Sequence, residues 1–138
     1  MKLQRVSYAD LNSRQKENYN FQKVTGRLAD YGFNCLRLTD DWQGADFIAC
    51  HIDGETFLKV QLKGRFVLDR KYLRKDIHIA FLHRDDLFLY PHDTIYDSFQ
   101  SKGIIGARGK DDLWQTEGVR TWASLPKWAV EMLAEYRL

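Results

Sequence analysis

The dipeptide Asp53-Gly54 does more than any other feature to limit how this chain can fold. It separates two strand-like runs, Asp46 to Ile52 and Thr56 to Lys63, and an Asp-Gly between such runs is the strongest local signal for a β-hairpin. With Asp53 and Gly54 as the two loop residues, Ile52 faces Glu55, and counting back from the turn sets Asp46 opposite Gln61. Residues two apart on a pleated strand share a face. Lys59 and Lys63 therefore join Gln61 on the side of Asp46, while Leu58, Val60 and Leu62 point the other way, into a core.

Elements on either side of this hairpin follow from periodicity and punctuation. Phe21, Val24, Leu28 and Tyr31 form an apolar stripe that predicts a helix from about Leu11 to Tyr31, capped by Asp10 or Asn12 and stopped by Gly32. Carried back four residues from Phe21, the stripe reaches Glu17, which puts a carboxylate on the buried-facing side near the helix start. Phe33 to Leu38 reads as a strand and Thr39 to Ala45 as a polar turn. Ile77 to Leu82 and Leu87 to Tyr90 read as a further pair of strands, and Pro91 to Phe99 as a helix or loop. Ser124 is the expected cap of a C-terminal helix with Pro126 in its first turn and Ala129, Met132, Leu133 and Tyr136 on its inner face. Lys102 to Thr121 yields no reading.

A chain of 138 residues without a linker-like tract is expected to form a single domain spanning 1–138. Cys35 and Cys50 lie in apolar runs and read as small buried hydrophobes in a reduced compartment. The polar N-terminus is no signal peptide and no apolar run has the length of a membrane span, so the expectation is a cytoplasmic protein with no membrane partner. Net charge is only +2, yet Lys59, Lys63, Arg65, Arg70, Lys71, Arg74 and Lys75 stand against the single acid Asp69 between Lys59 and Lys75. Such a surplus attracts a polyanion or forms a solvated loop. His51, His78, His83 and His92 match no common zinc spacing and are expected to be structural or exposed. Ser13, Ser98 and Ser124 lack partners for hydrolase chemistry. Gly103 to Gly109 is no phosphate-binding loop, and Trp114, Trp122 and Trp128 are expected in packing roles.

The polar patch made by Asp46, Gln61 and Lys63 has the donors for metal-assisted phosphodiester cleavage. A carboxylate and an amide oxygen are hard ligands suited to Mg²⁺ or Mn²⁺, and a lysine can position water and offset charge. Gly44-Ala45-Asp46-Phe47-Ile48-Ala49, followed after the hairpin by Leu58-Lys59-Val60-Gln61-Leu62-Lys63, resembles the PD-(D/E)XK nuclease superfamily. That superfamily includes restriction endonucleases, Holliday-junction resolvases and some homing endonucleases.

The resemblance implies a restriction endonuclease-like α/β core, a mixed β-sheet of about four to five strands flanked by an N-terminal and a C-terminal helix. It also implies a Mg²⁺- or Mn²⁺-dependent DNA endonuclease. Asp46 would be the principal metal ligand, Gln61 its companion, Lys63 the catalytic lysine and Glu17 the helix-borne acid, with Gln22 the competing helix position. Gln61 departs from the usual second acid, a QxK variant that lowers the negative charge at the metal. That departure keeps a second class open: a nuclease-like module that binds nucleic acid or a protein partner without cutting. Lys59, Arg65, Arg70, Lys71, Arg74 and Lys75 are the expected phosphate contacts. Related nucleases often dimerise, so a homodimer is a further implication of the resemblance, with no interface legible in the sequence.

Overall fold

The central hairpin forms in the expected register around a wider turn. In the computed structural model, which describes residues 1–105 and 113–138, β2 (Ala45–His51) and β3 (Phe57–Lys63) run antiparallel, with Phe47 opposite Val60 and Cys50 opposite Phe57. The ladder closes at His51, whose N–H donates to the Thr56 carbonyl (2.9 Å), so Ile52 to Glu55 form the loop rather than Asp53 and Gly54 alone. Asp53 shapes it. Its carboxylate accepts the N–H groups of Glu55 and Thr56, both at 2.8 Å, and the Thr56 hydroxyl at 2.6 Å. These bonds, the hydroxyl's foremost, hold the Asp53 carboxyl below the ordinary carboxylate range. The wider loop is symmetric about Asp53-Gly54 and so preserves every facing pair.

The preceding hairpin corrects the sequence reading. β1 (Phe33–Trp42) takes in most of the segment read as a polar turn, and Trp42 pairs with Ala45. The turn is only Gln43 and Gly44, with φ of 55° and 87°. Positive φ at both central residues marks a type I′ turn, whose twist matches the flanking strands. Gly44 is required twice over, because a Cβ there would also lie 3.1 Å from the Tyr72 ring. Between Arg37, opposite Phe47, and Trp42 the register shifts, so Asp41 arrives at the level of Asp46.

Helix α1 (Ser13–Ala29) starts at Asn12, which forms a capping box with Gln15, its two bonds each 2.9 Å. Val24 and Leu28 are buried and Phe21 packs beside them. Tyr31 is 48% exposed, against expectation, because the helix has ended and the chain is turning through Gly32 (φ 82°). Cys35 and Cys50 are free thiols on opposite faces of the hairpin, and burial pushes the Cys35 thiol up to about 11.

β5 (Ile77–His83) and β6 (Asp86–Pro91) complete a five-stranded sheet in the order β1-β2-β3-β5-β6. Only β3 and β5 are parallel; such a pair needs a crossover of about a dozen residues or more, and residues 64–76 supply it. α1 packs on one face over Phe47, Ala49, Val60, Ala80 and Leu87. The other face carries Ile79, Phe81, Phe88 and Tyr90 beneath a second layer. That layer holds α2 (His92–Ser101), α3 (Leu113–Glu117), α4 (Lys127–Met132) and a small sheet of β4 (Phe66–Asp69) paired with β7 (Val119–Trp122). The fold is a mixed α/β arrangement, with the expected flanking N-terminal and C-terminal helices. The β4–β7 sheet has no counterpart in the sequence reading. α4 begins after Pro126, so Ser124 is not its cap, but Ala129 and Leu133 are buried and Met132 and Tyr136 pack inward as expected. Trp114 is buried and Trp122 packs against the core, while Trp128 is 39% exposed. Of the segment Gly103 to Gly109, residues 106–109 lie outside the described residues. Among the described residues no helix is long and apolar enough to cross a membrane.

The layers are joined by polar bonds inside the core. The buried Tyr90 hydroxyl donates to the Val67 carbonyl (2.6 Å) and accepts the Val67 N–H (3.3 Å). His92, fully buried at the start of α2, accepts the Asp69 N–H on Nε2 (2.9 Å), leaving Nδ1 to donate to Asp93 (3.1 Å). Removing one partner of a buried bond leaves the other unsatisfied, at about 1–3 kcal/mol. Tyr90→Phe is therefore expected to lower stability by about 1–3 kcal/mol in denaturant unfolding, with an unchanged slope on denaturant; an unaffected midpoint would show that β4 does not depend on this tether.

Candidate active site

β2 and β3 stop exchanging backbone bonds at Phe47–Val60, yet β3 continues to Lys63 alongside β5, with Gln61 opposite Ile79 and Lys63 opposite Phe81. At this opened end Asp46 Oδ2 accepts the Leu62 N–H at 2.8 Å. Asp46, Gln61 and Lys63 share one cleft, as the register predicts. Glu17 lines it too, though it is exposed rather than buried: the first turns of α1 reach beyond the part of the helix that carries the buried Val24 and Leu28. Gln22 is exposed and does not line the cleft.

Asp40 and Asp41 complete the acidic wall and were missed by the sequence reading, which left them in a turn. The signal was present: Gln43-Gly44 suits a two-residue hairpin turn, which would have placed Asp41 in a strand beside Asp46. Asp41 Oδ1 accepts the Gly44 N–H at 3.0 Å, so the turn fixes the carboxylate that faces the site.

Burial dominates the electrostatics. It raises the Asp46 carboxyl, assisted by the charges of Asp41 and Glu17 and opposed by the Leu62 N–H and Lys63. It also lowers the Lys63 ammonium, with Lys71 adding to the shift and Asp69, Asp46 and Asp41 opposing it. Lys63 Nζ and Lys71 Nζ lie 5.4 and 5.1 Å from the centroid of the same ring, Tyr72. Burial, with the charges of Asp69, Asp46 and Asp41, raises the Tyr72 phenol and keeps it neutral.

The donor set fits Mg²⁺ or Mn²⁺. Gln61 Nε2 donates to the Leu62 carbonyl (3.3 Å), leaving Oε1 as its remaining acceptor, and Asp46 retains Oδ1. Magnesium is ordinarily held by one or two carboxylates together with water and substrate phosphate, not by a protein cage. Among the described residues no three His, Cys, Asp or Glu side chains are grouped so that they could hold a metal ion.

The basic segment does not form one surface. Lys59 bonds the Lys75 carbonyl, well back along β3 from Lys63. Arg70 is a structural tether: Nη2 donates to the Trp114 carbonyl and its N–H to the Gly118 carbonyl, both at 2.7 Å. Its guanidinium lies 5.5 Å from the Trp114 ring centroid. Arg74 has a left-handed backbone (φ 63°) and its N–H donates to Asp93. Lys71, 3.8 Å from Asp69, is close enough to Lys63 to shift its ammonium, and Arg65 is exposed just beyond the cleft residue Gly64.

No protein-family model and no curated protein sequence matches the chain. Two solved structures of nucleases are similar to it in part. A bacterial homing endonuclease, I-Ssp6803I, is 19% identical with a TM-score of 0.45, over 62% of this chain and 69% of its own. The Holliday junction resolvase Hjc of Archaeoglobus fulgidus is 15% identical with a TM-score of 0.45, over 56% of this chain and 74% of its own.

A folded-state carboxyl raised above its unfolded value, about 3.9 for Asp, favours folding below that value and loses the contribution as pH climbs through the raised one. Asn at position 46 can accept the Leu62 N–H and never ionises. Asp46→Asn is therefore expected to melt with wild type near pH 4 and progressively above it towards pH 7 in calorimetric scans. A variant that melts below wild type at pH 7 would contradict the assigned cost of burying this charge.

Proposed function

We propose that this protein is a metal-dependent endonuclease that hydrolyses DNA phosphodiester bonds in the cleft at the end of β3. The observation that supports this most directly is the Asp46 carboxylate, fixed by the Leu62 N–H on the sheet face shared with Gln61 and Lys63. In this reading Asp46 and Gln61 hold the ion and Glu17 contributes a further carboxylate. When bound, Mg²⁺ or Mn²⁺ supplies charge neutralisation at the scissile phosphate and a more acidic water. Lys63 positions the attacking water and offsets charge on the phosphate oxygens. Its partly buried ammonium makes that interaction stronger than it would be in bulk water. Lys71 and Arg65, on the cleft side of the basic segment, bind flanking phosphates; Arg70 serves chiefly to hold α3 and β7 in place. DNA as the substrate rests on the resemblance carried by Asp46 and Gln61-Leu62-Lys63.

The neutral amide of Gln61 favours a second reading, a module that binds nucleic acid or a protein partner without cutting, because it removes one negative charge from the metal site. Plasmid nicking separates the two. Asp46→Asn is expected to abolish nicking while leaving the fold intact, and full nicking by this variant would sink the site assignment. In calorimetric titration with Mn²⁺, Gln61→Glu adds a negative charge near Asp46 and is expected to bind several-fold more tightly, since about 1.4 kcal/mol suffices for tenfold. Equal or weaker binding would mean that residue 61 does not face the ion.

A further inference from the structure

We propose that a second groove, between α1 and the β5–β6 turn, receives a single-stranded stretch of nucleic acid leading away from the cleft. This deepens the nuclease reading and rests on it. The groove and the acidic cleft share Asn20, Lys63 and Gly64, so the two are continuous. Their charges are opposite. The cleft carries Glu17, Asp40, Asp41 and Asp46 against Arg37 and the shared Lys63, whereas Lys23, Arg27, Lys63 and Arg84 line the groove against the single acid Asp85. Arg27 is committed elsewhere, donating to the Leu138 carbonyl (2.8 Å) and the Asp85 carbonyl (3.5 Å). Lys23 and Arg84 are then the groove's own cations for phosphate.

The groove also has aromatic walls. Tyr8 and Tyr19 meet edge to face with centroids 5.2 Å apart, and the Tyr8 hydroxyl accepts from Asn20 Nδ2 at 3.1 Å. The pair serves no core: the rings belong to residues 43% and 39% exposed, and no residue of the short turn Tyr8–Asp10 is buried. Lys23 Nζ lies 5.4 Å from the Tyr19 ring centroid. Fixed, partly exposed tyrosines among cations make a sequence-tolerant platform for unpaired bases, each stacked base contributing appreciable affinity. Duplex bases are already stacked on one another and present no free face to such a ring. The cavity volume, about 420 Å³, lies in the range of small-ligand clefts, about 300–1,000 Å³. That suits a nucleotide or two and not a double helix.

The test is fluorescence anisotropy in EDTA, where nothing is cut, comparing a blunt duplex with the same duplex carrying a single-stranded thymidine tail. Wild type is expected to bind the tailed duplex about tenfold more tightly, the effect of one stacked base. Tyr19→Ala combined with Arg84→Ala should erase that preference while leaving blunt-duplex affinity unchanged, and Tyr19→Phe, which keeps the ring, should retain it. Lys23→Ala alone should lower the salt slope for the tailed substrate by about 0.7. Thermal melting of each variant checks that it is folded. Equal binding of tailed and blunt duplex by wild type, or a preference that survives the double substitution, overturns the groove. Its failure is distinct from failure of the nuclease reading: Asp46-dependent nicking without tail preference rejects the groove alone. Tail preference in a protein that nicks nothing rejects catalysis alone.

Discussion

The hydrogen bond from the Leu62 N–H to the Asp46 carboxylate is where backbone pairing gives way to side-chain chemistry. Beyond Val60, β3 faces β2 without further ladder bonds, and a half-buried N–H on that side would otherwise lack a partner. Asp46 supplies the acceptor from its own strand. β3 can accept this open flank because its other edge is held by β5, backed by Phe81 and an aromatic cluster in which Phe66 lies 4.7 to 5.9 Å from four neighbouring rings. That cluster packs on β5, whose Ile79 and Phe81 stand opposite Gln61 and Lys63. A carboxylate drawn out of water, a lysine drawn out of water and a fixed strand end are one construction.

Seen this way, the amide at position 61 has a physical rationale. The register shift in β1 brings Asp41 level with Asp46, and each negative charge in the cleft raises the free energy of the others when no cation is near. Asp46 is already raised by burial, Asp41 and Glu17. A further acid directly beside it would add to that repulsion in the empty state. The neutral oxygen of Gln61 adds an acceptor to the cleft without adding a charge.

The parts of the fold that were legible in the sequence are those set by local pattern. The hairpin register survived a misjudged turn because a loop symmetric about Asp53-Gly54 preserves its facing pairs. α1 was legible from Val24 and Leu28 and from its stop at Gly32. What could not be read depends on distant partners. Phe66 to Asp69 is short and flanked by basic residues, and only pairing with Val119 to Trp122 makes it a strand. Arg70 reads as one more phosphate-binding cation until Trp114 and Gly118 are seen to occupy it. Ser124 has a capping side chain, but Pro126 places the helix start after itself. At the candidate site, Asp46, Gln61, Lys63 and Glu17 followed from spacing, whereas Asp40 and Asp41 were hidden by reading a tight turn as a long one. The groove flanking the cleft was invisible because its walls come from α1, the N-terminal turn and β5–β6.

The β4–β7 sheet has a kinetic consequence. α1 to β3, which carry the cleft, are consecutive and close their contacts over short loops, whereas Val67 must find Thr121 across the rest of the chain. Loop-closure entropy makes such distant pairings slow and late. During synthesis the cleft side can organise while Phe66, Phe81 and Tyr90 still await the layer that covers them, and exposed aromatic surface of this kind invites association between chains. The yield of folded protein is thus governed by the layer whose strand pairing closes last.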